Sequence, residues 1–85
     1  MNQDWLITFR SITYAQRAQF LLQTAMMDSR LQRAPKELSG KGCGYALRLR
    51  EPDGIAAAQL LRQKGVPFNK LFFRTIDGKM EEQSL

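Results

Sequence analysis

The chain has 85 residues, 44% of them hydrophobic, and 13 Lys and Arg against 8 Asp and Glu give a net charge of +5; so short a chain encloses one core, and a single domain is expected over residues 1–85. With no histidine and one cysteine, a Ser-His-Asp or Cys-His pair, an internal disulfide and a structural zinc site are excluded. No apolar run approaches the roughly 18 to 20 residues that cross a bilayer, and Asp4 and Trp5 stand where a secretory signal needs a basic and then an apolar stretch, so a cytoplasmic protein with no membrane partner is expected.

Trp5-Leu6-Ile7-Thr8-Phe9-Arg10 alternates and is rich in aromatic and β-branched residues, which predicts a strand with Trp5, Ile7 and Phe9 on one face. Thr13 and Gln16 have the spacing of a capping box, and Tyr14, Ala18, Leu21, Leu22 and Ala25 then share one helical face, ending near Met27 or Asp28. Leu31 to Ala34, bounded by Pro35, is at most a brief edge strand. Tyr45-Ala46-Leu47-Arg48-Leu49-Arg50 alternates cleanly, with Tyr45, Leu47 and Leu49 toward the core and Arg48 and Arg50 opposite.

Asp53 follows Pro52 as the cap of a second helix, whose stripe is Ala57, Leu60 and Leu61 and whose stop is Gly65. Lys70 to Ile76 suits a last strand, so the ordered core is expected over about residues 5–76; the polar ends, Met1–Asp4 and Asp77–Leu85, look poorly tied down. The order β-α-β-β-α-β predicts an α+β domain of ferredoxin-like type, a four-stranded antiparallel sheet with both helices on one face.

The chemically distinctive segment is Gly40-Lys41-Gly42-Cys43-Gly44. Its glycines, Gly40, Gly42 and Gly44, allow positive φ and bring backbone N–H groups close to a ligand or to the thiol. Those donors, with Lys36 and Lys41 close by, would favour the thiolate of Cys43, the nucleophilic form. The competing reading makes the glycines a tight connection and Cys43 a small buried apolar residue. A nucleotide-binding P-loop is excluded, because the segment lacks that spacing and its Lys-Ser/Thr ending and precedes a strand.

The runs Leu6-Ile7-Thr8-Phe9-Arg10-Ser11 and Pro35-Lys36-Glu37-Leu38-Ser39, leading to Cys43-Gly44 and Ala46-Leu47-Arg48, resemble the selenium/sulfur carrier-like family of small bacterial proteins. The resemblance runs from the first strand into the second helix. It implies that Cys43 is the family's Cys-Gly cysteine, the acceptor that carries sulfur or selenium as a persulfide or its selenium analogue. The chain departs from the family's Pro-x-Pro-Arg segment by having Arg33 at the first proline and Lys36 at the arginine. Such a carrier needs one exchangeable sulfur and no second catalytic group when donor and acceptor proteins supply the rest, so neither a cofactor nor stand-alone enzymatic activity is expected.

The basic excess supports a different use. Arg10, Arg48, Arg50 and Arg74 are expected on the sheet face that the helices leave uncovered, together with Thr8 and Phe72, as a binding module for nucleic acid or an acidic protein partner, or as the buried face of a homodimer. Against base stacking, Trp5, Phe9 and Tyr45 share the register of the core residues, which removes the aromatic platform of RNA-recognition domains.

Overall fold

The computed structural model describes residues 4–34, 44–50, 53–75 and 77–83. Along the chain lie β1 (Asp4–Phe9), α1 (Ile12–Thr24), β2 (Ser29–Arg33), β3 (Tyr45–Arg50), α2 (Asp53–Gln63), β4 (Leu71–Arg74) and β5 (Met80–Gln83). The strands form one sheet in the order β2-β3-β1-β4-β5, and every neighbouring pair is antiparallel. The protein is thus α+β, with two helices and a five-stranded sheet among the described residues.

Strand alternation sorts the side chains into two layers. Trp5, Ile7 and Phe9 of β1, Leu47 and Leu49 of β3 and Leu71 of β4 pack with Ala15, Ala18 and Leu22 of α1 and Ala57, Ala58 and Leu61 of α2 in the main core. Both helices therefore bury their apolar stripes on one face of the sheet. Leu6, Ala46 and Phe72 form a smaller buried cluster with the opposite parity, against which Ala34 and Met80 pack. The main core matches the expected facing of β1 and β3, including the inward direction of their aromatics.

The ends of α1 differ from expectation. Ser11, not Thr13, is the N-cap: its backbone is extended and its Oγ accepts the Tyr14 N–H at 3.3 Å, the geometry that a cap requires. Starting at Ile12 leaves Tyr14 exposed and turns Ala15, Ala18 and Leu22 inward. At the other end, Met27 N–H donates to the Leu22 carbonyl and Met26 N–H to that of Gln23, a Schellman closure that places Met26 at φ 63° where glycine is usual. Because Met26 is 91% exposed, Met26→Gly loses no packing. It should raise stability by about 1 kcal/mol by relieving the left-handed strain, read as a higher urea midpoint.

Helix α2 stops at the expected residue by the same device: Gly65 sits at φ 75°, its N–H donating to the Arg62 carbonyl and the Val66 N–H to that of Leu61. Strand β2 is longer than the brief segment expected, and it is an edge of the sheet.

The fifth strand corrects two expectations, the four-strand count and the loose polar tail. Asp77-Gly78 turns the chain, with Gly78 at φ 88° and its N–H donating to the Thr75 carbonyl at 2.9 Å, while Thr75 N–H donates to the Lys79 carbonyl at 2.8 Å. That turn sets the register Arg74↔Met80 through Leu71↔Gln83. The Thr75 hydroxyl also donates to Asp77, and this holds the Asp77 carboxyl below the usual carboxylate range. The turn's gain from the carboxylate is thus present at neutral pH and is lost as pH falls through the lowered value. Residue 4 is not a loose end either, since Asp4 opens β1 and is 6% exposed.

Candidate functional site

Two places on this frame carry chemistry. The first is the closed end of the β2–β3 hairpin, where the connecting segment joins the two strands. Arg33 and Tyr45 are register partners there, and the next step is closed by Ala34 N–H donating to the Gly44 carbonyl at 3.1 Å. The intervening chain therefore leaves and re-enters the sheet at one point. Cys43, Gly40, Gly42, Lys36 and Lys41 lie outside the described residues; Gly44, covalently joined to Cys43, is half-buried. Beside it the Arg33 guanidinium stands 5.9 Å from the Tyr45 ring centroid, a cation–π distance. A fixed positive charge thus lies at the base of this segment.

The second place is the sheet face opposite the helices. Arg48 donates to Asp4 Oδ2 through Nε at 2.9 Å and Nη2 at 2.6 Å, and Arg74 Nη1 approaches the same oxygen at 3.9 Å. The cross-strand register explains the meeting: Asp4 is opposite Arg50 on one side and Arg74 on the other, and Arg48 is the diagonal neighbour. One buried carboxylate thereby holds two arginines of neighbouring strands.

The clamp stands between two depressions. One, of about 230 Å³, is lined by Asp4, Leu6, Gln32, Arg48, Arg74, Gly78 and Met80. The other, of about 530 Å³, is lined by Asp4, Asp28, Ser29, Arg30, Arg48, Leu49 and Arg50. Arg48, Arg50 and Arg74 thus share the expected face, whereas Arg10 is an exposed residue of the bend after β1 and lines neither depression. Thr8 and Phe72, expected there as open contacts, are only 3% and 7% exposed. Thr8 is occupied instead by the β4 side of the sheet, its Oγ1 accepting the Lys70 N–H at 3.0 Å.

Two participants escaped the sequence reading. Arg30 lies in β2 directly across from Arg48, and Asp4 falls in the polar N-terminal stretch expected to be loose. The alternation of Arg30 and Gln32 with Leu31 and Arg33 could have signalled the first; nothing local signals the second, because its partner is 44 residues away. No group of three or more His, Cys, Asp or Glu side chains among the described residues could hold a metal ion, and none of the described helices is long and apolar enough to cross a membrane.

A family profile described as "Putative Se/S carrier protein-like" matches residues 4–72. The chain belongs to this Se/S carrier protein-like family. The match runs from the first residue of β1 to Phe72 within β4, so the hairpin bearing the Cys43 segment lies inside it and β5 lies beyond it. No curated protein and no solved structure matches the chain.

Proposed function

We propose that the protein is a thiol-dependent carrier of sulfur or selenium, with Cys43 as the acceptor. The observation that carries this reading is membership of the Se/S carrier protein-like family over residues 4–72 in a chain whose one cysteine falls in the matched region. The closed hairpin end supports it: the Ala34–Gly44 hydrogen bond ties both ends of the cysteine-bearing segment to the sheet, and Arg33 adds positive charge at its base. Lys36, Lys41 and the backbone of Gly40, Gly42 and Gly44 would complete a setting that favours a thiolate. We further infer a ferredoxin-like frame of β1 to β4 and the two helices, with β5 appended to it; β3 lying between β1 and β2 supports this.

In the transfer, the Cys43 thiolate attacks the terminal sulfur of a donor protein's persulfide. A new S–S bond forms at Cys43 as the donor's S–S bond breaks, and the donor cysteine departs as a thiolate. The terminal sulfur keeps its oxidation state, so no external oxidant enters. Delivery to an acceptor is the same exchange in reverse. A reducing cytoplasm suits a thiol used in this way.

The test is incubation with a cysteine desulfurase and cysteine, followed by intact mass measurement. The wild-type chain should gain sulfur that a thiol reductant removes, and Cys43→Ala should gain none. A wild-type chain that stays unmodified beside a desulfurase that loads another acceptor would sink the proposal. The nucleic-acid reading has less support, since the one aromatic of β1, β3 or β4 that faces away from the helices, Phe72, is 7% exposed and offers no stacking surface.

A further inference from the structure

The larger depression holds a feature that sulfur transfer does not use. Arg30 and Arg48 are direct cross-strand partners, Arg50 lies one alternation further along the same face of β3, and all three line one concavity of about 530 Å³. Like charges directly opposite one another across a sheet are destabilising. Of the three guanidiniums, that of Arg48 is held by Asp4; among the described residues Arg30 and Arg50 form no ion pair. The concavity has the size of a small-molecule site, and its remaining polar lining is Ser29, Asp28 and the already engaged Asp4.

We propose that this cleft binds a phosphate group, free or as the head of a small phosphate ester, between Arg30, Arg48 and Arg50. Charge and geometry select the class. A carboxylate brings one charge on two coplanar oxygens, whereas a phosphate dianion brings about two charges on oxygens spread tetrahedrally, which suits three arginines converging from two strands. The bound dianion offsets the Arg30–Arg48 repulsion. Asp28 opposes binding and sets its strength. Phosphate binding is expected to survive Cys43→Ala, which separates this proposal from the carrier reading.

The probes are inorganic phosphate and pyrophosphate, titrated into the full chain at constant ionic strength by calorimetry and by the arginine Nε–H signals in NMR. Saturable binding is expected, weakened roughly tenfold by Arg30→Gln or Arg50→Gln, as for loss of one charge-assisted contact. It should be tightened by Asp28→Asn and unchanged by Arg62→Gln on α2. Without phosphate, Arg30→Gln should melt higher than wild type, because a like-charge pair is gone; with phosphate, wild type should gain the more. Non-saturable binding, equal weakening by Arg62→Gln, or citrate binding as tightly as pyrophosphate overturns the proposal. So does an oligonucleotide that binds while both phosphates do not.

Discussion

Gly54→Ala is expected to destabilise the protein by roughly 1–3 kcal/mol, the range of a forced overlap in a packed core. The sign is the informative part. Gly54 is the second residue of α2, and alanine is a better helix former than glycine, by about 1 kcal/mol in a helix interior. Here a Cβ at position 54 would come closer than 3.0 Å to Cγ, Cδ1 and Cδ2 of Trp5, well inside the carbon contact distance of about 3.5–4.0 Å.

The Trp5 ring has little room to yield. It is 6% exposed within the main core, it meets the Phe73 ring at a centroid distance of 4.8 Å, and its Nε1–H is buried without a partner among the described residues. The glycine is therefore what lets α2 lie against β1. Urea unfolding of Gly54→Ala measures the loss, and Trp5→Leu/Gly54→Ala should be markedly more stable than the sum of its single changes implies. A stabilised Gly54→Ala would show that helix propensity, not contact with Trp5, governs this position.

Asp4→Ala should cost about 2 kcal/mol, less than the roughly 3–5 kcal/mol seen when one partner of a fully buried pair is removed. The discount follows from exposure. The Asp4 side chain is 8% exposed, but those of Arg48 and Arg74 are 43% and 45% exposed, so water takes over part of the lost interaction. Removing the carboxylate also leaves Arg48, Arg50 and Arg74 as like charges on one face of the two strands that flank β1. Much of the loss should vanish near 1 M salt, where screening acts over about 3 Å. Asp4→Ala combined with Arg48→Ala should lose less than the two single losses together; strict additivity would mean that the pair is not coupled in solution.

The candidate cysteine was legible because composition alone isolates it: with one cysteine and no histidine, the chain has one thiol nucleophile and no partner that would turn it into a protease or zinc site. The arginine cleft was only half legible. Alternation in Tyr45–Arg50 puts Arg48 and Arg50 on one face, and the chain does so. Arg30 joins them only because β2 pairs with β3 in the register that places it opposite Arg48. Phe72 shows the reverse case: alternation placed it on the face opposite the helices, yet that face has its own buried cluster there.

Local sequence by itself determined β1, β3, β4, the stop of α2 at Gly65 and the inward facing of the main aromatics, because hydrophobic period and backbone freedom act over a few neighbouring residues. Tertiary structure decided the rest. Met80-Glu81-Glu82-Gln83 has little strand preference of its own and becomes β5 because the Asp77-Gly78 turn delivers it to the free edge of β4. Asp4 becomes a clamp and Gly54 a contact residue through partners 44 and 49 positions away in the chain. Those contacts form when β1 is inserted between β3 and β4 beneath α2, an event governed by sheet register and close packing, to which no single stretch of sequence answers.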